Sequence, residues 1–215
     1  MNASRNEILH RIRSALRDVP ADERPRDVPI AREYRRAGTD ARAELVERFI
    51  DRLVDYKAKV QRVTEAGLPG AIAAACTARG VRQLVVPADL PADWAPPEVE
   101  LLRDDGLTND QLDTSDGVLT GCALGIAQTG TIVLDSGSTQ GRRVLTLLPD
   151  YHLCVVRDDQ IVDIVPEAIE RLQAAVRRPI TFISGPSATS DIELNRVEGV
   201  HGPRTLEVLI VAEHD

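Results

Sequence analysis

Apolar residues recur every three or four positions in four stretches of the chain, which is the spacing of one buried helical face. The stretches are residues 4–17, 40–56, 68–79 and 166–176. Ser4 and Glu7 have the spacing of a capping box at the start of the first stretch, and Gly80 follows the third as a helix-ending residue. The pattern therefore predicts four helices, of which the first is short and amphipathic.

Six short runs of apolar and β-branched residues lie between or after these helices and predict strands. They are Val60–Val63, Leu84–Val86, Val99–Leu102, Gly117–Thr120, Pro179–Ile183 and Leu206–Val211. Strands that alternate with helices are typical of a mostly parallel sheet covered on both faces. We therefore predict an α/β fold with a mostly parallel central sheet flanked by helices, in which the last two runs are buried and Trp94 closes an edge of the core.

Residues 19–36 interrupt both patterns. Pro20, Pro25 and Pro29 stand among many charged residues there, a composition typical of an extended, solvent-exposed arm. We predict an N-terminal helix and arm over residues 1–36 and an α/β domain over residues 37–215. The helix would pack on the main body or on a second subunit, or it would be partly disordered.

The charge balance narrows the classes of function. The chain carries 26 basic and 34 acidic residues, a net charge of −8, which argues against a nucleic-acid partner. Lys57 and Lys59 are its two lysines, so a Schiff-base lysine or a phosphate-loop lysine has almost no place to lie. We expect both lysines to be solvated.

The cysteine pattern predicts free thiols. Cys76, Cys122 and Cys154 are widely spaced, so they cannot supply the four ligands of an iron–sulfur cluster or of a structural zinc site. An odd and small number of cysteines indicates a reducing, cytoplasmic setting. No apolar stretch approaches the length of a membrane span, so we expect a soluble protein with no metal of its own.

Two loops near the carboxyl end are rich in residues with special backbone or hydrogen-bonding properties. Ser184–Glu193 reads SGPSATSDIE, and Ser190 with Glu193 has capping-box spacing, so a helix is predicted to start near Asp191. Amide groups at a helix start favour an anion. In Gly199–Arg204, which reads GVHGPR, His201 is flanked by small residues and an arginine. We predict that the two loops share one anion-binding crevice, the alternative being that the hydroxyls merely cap a helix.

Three further segments carry polar residues with open interpretations. Gly121–Gly130 is predicted as a glycine-rich loop that lets a ligand approach Thr129 and Thr131, unless it is a simple hairpin turn. Arg142 and Arg143 lie in a mobile-looking loop, where they would clamp an anion or act as ordinary surface charges. Five carboxylates are predicted to form a solvated rim, with a metal site as the alternative: Asp104, Asp105, Asp110, Asp113 and Asp116.

Together these loops, with Gly125–Leu134 and Leu145–Val156, resemble the LUD domain family of lactate-utilization proteins. The resemblance extends roughly from Ala41 to Val211, and its motifs stand in the family's order and spacing. Gln128 occupies a position where glutamate is common in the family, so no carboxylate role is expected for that side chain.

The resemblance implies a fold similar to the superfamily of ribose-5-phosphate isomerase, glucosamine-phosphate deaminase and CoA transferases. It also implies a place in a system of several components that oxidises L-lactate to pyruvate, in which the other components carry iron–sulfur clusters. This chain would need no cofactor of its own. Its partners would be the iron–sulfur subunits and a small anionic metabolite.

The first functional hypothesis assigns metabolite binding to residues of these loops. They are Thr129, Gly130, Thr131, Gly185, Ser187, Thr189, Gly202 and Arg204. Arg204 would neutralise the anion, and His201 would donate a proton. Asp191 is the second candidate catalytic residue.

Two other hypotheses stay open, as does the question of whether the chain is an enzyme by itself. In one, a stand-alone enzyme acts on a sugar phosphate or an acyl-CoA, with Asp191 or Glu193 as acid, base or nucleophile. A helix start would instead hold Asp191 ionised. In the other, the chain is a regulatory or scaffolding module and the loops are structural.

Overall fold

Most of the apolar runs predicted as strands form one six-stranded sheet in the computed structural model, which describes residues 2–20, 23–24, 29–185, 188–189, 197–198 and 202–212. The strands, in their order across the sheet, are β1 (Lys59–Thr64), β12 (Thr205–Ala212), β7 (Tyr151–Arg157), β4 (Gly117–Thr120), β2 (Gln83–Val86) and β3 (Glu100–Arg103). All neighbouring pairs are parallel, which confirms the predicted fold class.

The chain divides into two units, residues 1–34 and 35–215. The described part of the first unit contains helix α1 (Asn2–Ala15), which confirms the first predicted helix. The other described helices and strands belong to the second unit. Within the described residues, no helix is both long and apolar enough to cross a membrane.

Helical periodicity located the main helices of the second unit to within a few residues. They are α2 (Arg42–Asp55), α3 (Leu68–Arg79) and α5 (Val165–Arg171). Helix α3 ends at Gly80, whose φ of 66° is readily available to glycine. A short helix, α4 (Asn109–Asp113), was not predicted, and its Thr108 hydroxyl caps the amide of Gln111.

The central sheet has a separate apolar layer on each face because successive strand residues point to opposite sides. Leu153 and Leu209 pack with helix α3 and the buried Trp94, which confirms the prediction for the tryptophan. Cys154 and Val208 pack with helix α2 on the other face. Helix α2 therefore holds one face of the sheet through its own apolar stripe, Leu45, Val46, Phe49 and Leu53.

A second, four-stranded sheet packs on the α2 side. Its order is β8 (Ile161–Val162), β5 (Leu124–Ile126), β6 (Thr131–Leu134) and β9 (Thr181–Ile183). Strands β5 and β6 are antiparallel and joined by residues 127–130, so the hairpin interpretation of Gly121–Gly130 is correct. Strand β9 is at an edge and leaves Phe182 48% exposed, so the prediction that Pro179–Ile183 is buried was wrong.

The predicted rim of solvated carboxylates is also wrong in part. Asp104 has a side chain only 5% exposed, and both of its oxygens accept hydrogen bonds from Arg142, at 2.6 and 2.7 Å. This pairing lowers the pKa of Asp104. Asp116 accepts the backbone amides of Arg82 and Gln83, at 2.8 and 2.9 Å. Both carboxylates thus stabilise loops.

Strands β10 (Ala188–Thr189) and β11 (Val197–Glu198) form a short antiparallel pair within the predicted first loop and just after it. The predicted helix start near Asp191 lies outside the described residues.

Candidate functional site

Three hydroxyl groups form a hydrogen-bonded chain at the start of strand β6. Thr131 Oγ1 lies 2.7 Å from Thr129 Oγ1 and 2.8 Å from Ser184 Oγ. Thr131 is 4% exposed, and it stands opposite Ser184 because β6 and β9 pair with Ile132 beside Ile183. We call this group the hydroxyl chain. It joins the hairpin turn to the first residue of the predicted Ser184–Glu193 loop.

Two glycines of the predicted site lie against the end of helix α2. Gly130 has a φ of 61°, and a Cβ there would lie 2.5 Å from the Arg52 Cβ. Gly185 has a φ of 80°, and a Cβ there would lie 2.4 Å from the Tyr56 Cβ. Both positions therefore need glycine for backbone reasons and for contact with α2. Gly185 is predicted to give the chain freedom to turn, in agreement with its φ, whereas Gly130 is predicted to let a ligand approach; in the described structure both glycines allow a close approach of helix α2.

Several predicted site residues lie outside the described residues, namely Ser187, Asp191 and His201. The backbone of Thr189 is described as part of β10. Gly202 and Arg204 precede strand β12, and the exposed Arg204 guanidinium lies 3.4 Å from the Asp150 carboxylate. No described contact joins Arg204 to the hydroxyl chain, so of the predicted set the structure brings together Thr129, Gly130, Thr131 and Gly185.

Arg204 lines a cleft of about 290 Å³ at the amino ends of strands β7 and β12. Arg79, Tyr151 and Asp150 line the same cleft. Below it lies Glu207, which is 1% exposed and accepts from Lys59 Nζ at 2.7 Å, Tyr151 Oη at 3.1 Å and Arg79 Nε at 3.4 Å. Lys59 is itself 59% exposed, as expected of a solvated lysine, and its ammonium group pairs with this buried carboxylate.

This buried carboxylate changes the titration of neighbouring groups. Burial, together with the charge of Glu207, raises the pKa of the Tyr151 hydroxyl. The Arg79 guanidinium lies 4.4 Å above the centre of the Tyr151 ring, an arrangement that favours the cation. The cluster is fully paired among described residues, which is typical of a structural network and not of a reactive site.

Cys76, on helix α3, provides a test of this buried environment. Burial and the charge of Glu207 raise its pKa from 9.0 to about 11. Because the folded-state pKa is raised, the stability contributed by the neutral thiol is complete below pH 9 and is lost as the pH rises towards 11. We expect wild type to lose about 2–3 kcal/mol more than Cys76→Ala between those values. Urea unfolding at pH 7, 9, 10 and 11 measures the free energy of unfolding of both proteins. If the difference between them stayed constant over this range, the predicted pKa shift of Cys76 would be contradicted.

A second buried polar cluster joins strands β4 and β7. The Nε2 atom of His152 lies 2.8 Å from the Thr120 hydroxyl, and His152 is fully buried. Its Nδ1 atom has no hydrogen-bond partner among the described residues. An unpaired buried nitrogen is uncommon in a folded core, so His152 is a candidate functional residue. It lies in the Leu145–Val156 segment, in which no individual residue was predicted to have a role.

Two thiols lie next to this histidine. The neighbouring Cys154 and burial raise the pKa of the Cys122 thiol, while the neighbouring Cys122 and His152 lower the pKa of the Cys154 thiol. All three cysteines are unpaired and buried, as expected. Among the described residues, no group of three histidine, cysteine or acidic side chains is placed to hold a metal ion.

Of the two arginines in the Ser136–Arg143 loop, Arg142 already has a carboxylate partner. Arg142 is engaged by Asp104 and by the carbonyl of Leu107. Arg143 bonds the Thr146 hydroxyl at 3.2 Å, and burial lowers its pKa. The loop itself is held by Asp89, which accepts from Ser138 and Thr139. Arg142 is therefore a surface charge that also anchors the loop, whereas Arg143 is half-buried and is not an ordinary surface charge.

The chain matches the model of the LUD domain over residues 46–211. It is 53% identical over 174 residues to lactate utilization protein C of Deinococcus radiodurans, a match that covers 80% of this chain and 81% of that protein. It is 30% identical over 172 residues to lactate utilization protein C of Geobacillus kaustophilus, covering 70% of this chain and 71% of that one.

A solved structure shows a similar fold. It is the crystal structure of a DUF162 family protein from Deinococcus radiodurans, which is 47% identical in sequence. The match covers 80% of this chain and 99% of that one, with a TM-score of 0.71.

Proposed function

This chain belongs to the LUD domain family, and on that premise we propose that it is the component without iron–sulfur clusters of a multi-subunit system that oxidises L-lactate to pyruvate. A role in lactate utilization follows from its similarity to proteins of that name. In the proposal, this component binds a small anionic metabolite, and the electrons pass to clusters in partner subunits.

The observation that carries the proposal is the hydroxyl chain. Each of the three hydroxyls has one hydrogen and the two hydrogen bonds between them use two, so in every arrangement one hydrogen is left for a further acceptor. A lactate carboxylate or alcohol oxygen is such an acceptor. The hydroxyl chain is held in place by the pairing of β6 with β9 and by the close contact of Gly130 and Gly185 with helix α2. A preorganised donor binds an anion without reorganisation.

The remaining roles follow the chemistry of the side chains. Arg204 would supply the counter-charge, because its exposed pairing with Asp150 is weak and can be exchanged for a ligand carboxylate. His201 would move the alcohol proton, since an imidazole titrates near neutral pH. Ser187 and Thr189 would add hydroxyl contacts, and Asp191 would orient or assist the histidine. These residues remain the proposed site.

Substitution of Thr131 tests the proposal directly. Thr131→Val preserves the shape of the side chain but removes the central hydroxyl, and we expect it to weaken metabolite binding about tenfold, by about 1.4 kcal/mol, and to impair growth on L-lactate. Thr131→Ser retains the hydroxyl and is expected to grow like wild type. The host should lack the chromosomal gene and keep the partner genes. Normal growth of a Thr131→Val strain that contains the protein at the wild-type level would contradict the role of the hydroxyl chain.

A separate measurement tests whether this chain acts only together with iron–sulfur subunits. The purified chain is expected not to oxidise L-lactate alone and to co-purify with iron–sulfur proteins from its own cells. His201→Ala is expected to abolish lactate-dependent growth while leaving that co-purification intact. Lactate oxidation by the isolated chain would refute the proposed role in an assembly.

A further inference from the structure

Two thiols that are distant in sequence lie side by side where the chain passes from the central sheet to the second sheet. Cys122 follows strand β4 and precedes β5, whereas Cys154 lies in the middle of β7. Strands β4 and β7 are parallel neighbours in which Thr120 is the partner of Cys154, so Cys122 is two residues beyond the partner position. Both thiols belong to the apolar layer that packs on helix α2.

The backbone next to Cys122 limits the separation of the two thiols. Cys154 Sγ lies 3.8 Å from the carbonyl oxygen of Gly121, the residue before Cys122. In a trans peptide the carbonyl oxygen lies about 2.8 Å from the following Cα, because bond lengths and planarity fix that distance. The Cys122 Cα is therefore at most about 6.6 Å from Cys154 Sγ. From such a distance a disulfide can form with little movement of the strands.

Cys122 can be reached through a cleft of about 440 Å³, which Cys122 and Gln160 line. The cysteine is 4% exposed, and its Sγ donates only a long hydrogen bond of 3.5 Å to Gln160 Oε1. Cys154 is completely buried and does not line this cleft. A molecule as small as hydrogen peroxide can therefore meet Cys122 first, with Cys154 as the neighbouring thiol.

His152 favours ionisation of the two thiols. It is two residues from Cys154 in β7, so both side chains point to the same face of the sheet, and it lowers the pKa of Cys154. Two interacting thiols titrate as a pair, so the negative charge of the first ionisation is available to either sulfur. A thiolate, and not a thiol, attacks a peroxide.

We propose that Cys122 and Cys154 are a modification site at which a peroxide produces a reversible disulfide. The Cys122 sulfur attacks one oxygen of hydrogen peroxide, the O–O bond breaks, and Cys122 sulfenic acid and one water result. The Cys154 sulfur then attacks the Cys122 sulfur, the S–S bond forms, and the sulfenic hydroxyl leaves with the Cys154 proton as a second water. The two thiols lose two electrons, which the peroxide gains. This site does not depend on the proposed role in lactate oxidation.

The test treats the full native chain with hydrogen peroxide, quenches it with acid and labels the remaining thiols with N-ethylmaleimide in urea. The protein has three free thiols, and we expect one to remain. Peptide mapping is expected to show Cys122 joined to Cys154, and dithiothreitol to restore all three thiols. Cys76 is the internal control because it is fully buried on helix α3 and does not line the cleft.

Single variants separate the two steps. Cys154→Ser removes the second thiol, so dimedone is expected to trap a sulfenic acid at Cys122. Cys122→Ser is expected to form no disulfide. Cys76→Ala leaves the pair intact and is expected to form the same disulfide as wild type, which keeps the test decisive if either serine variant folds poorly.

The role of His152 is tested by the pH dependence of the rate. His152→Asn is expected to slow disulfide formation about tenfold at neutral pH, and alkaline pH is expected to restore most of the rate, because a shift of one pKa unit changes the thiolate fraction about tenfold. A merely structural histidine would not give this recovery. Three labelled thiols after peroxide treatment, a bridge to Cys76 or a bridge between two molecules would overturn the proposal.

Discussion

Replacing Phe49 with alanine is expected to lower the free energy of unfolding by about 3–5 kcal/mol. Phe49 is fully buried on helix α2 and belongs to the apolar layer between the two sheets. Its ring also faces the backbone of Gly125 in strand β5, where a Cβ would lie 2.8 Å from Cζ. Alanine would therefore leave a cavity where helix and sheet meet, and the close backbone contact leaves little freedom for the site to collapse.

Urea unfolding followed by circular dichroism measures the loss. Val54→Ala is the matched control because Val54 lies on the same helix but is 55% exposed, so its truncation should cost less than about 0.5 kcal/mol. A cost below about 1 kcal/mol for Phe49→Ala would show that α2 does not pack on the sheets as described.

Replacing Gly130 with alanine is expected to destabilise the protein by about 2–5 kcal/mol, from two separable causes. The φ of 61° disfavours a side chain, and a Cβ would also lie 3.0 Å from the Arg52 backbone carbon. Gly80 separates the causes because its φ is 66° and a Cβ there would meet nothing within 4 Å. Gly80→Ala should thus cost only about 1–2 kcal/mol.

The difference between the two variants measures the contact between the hairpin turn and helix α2. Gly130 lies between the two threonines of the hydroxyl chain, so Gly130→Ala is also expected to impair growth on L-lactate. Equal destabilisation by Gly80→Ala and Gly130→Ala would mean that the turn does not press on α2, and the glycine would then be explained by its backbone angle alone.

The helices and the parallel sheet could be predicted because their signals are local. Apolar spacing in α2 and α3 extends over three turns, and β-branched runs between such helices favour parallel pairing. The second sheet could not be predicted in the same way, because β5 is three residues long and one of its two partners, β8, is distant in sequence. Pro179–Ile183 looks like a core strand from its composition, and its exposure follows from an edge position that composition does not encode.

The candidate site was predictable in part. Thr129 and Thr131 were singled out by their spacing and by family resemblance, and Ser184 joins them as the first residue of the predicted loop. The function of Gly130 and Gly185 as contacts for α2 depends on tertiary packing. The paired cluster around Glu207 could have been predicted, because Glu207 is the one charged residue within the apolar run of β12 and a buried charge requires partners.

The placement of β12 has a consequence for synthesis on the ribosome. Strand β12 is late in sequence yet lies between β1 and β7, and it is the strand that pairs with β1 among the described residues. While residues 205–212 are still inside the exit tunnel, β1 has no neighbour and the exposed edge of β7 can attract other chains. Completion of the sheet must therefore wait until this segment has emerged, although the helices that cover the sheet are synthesised earlier.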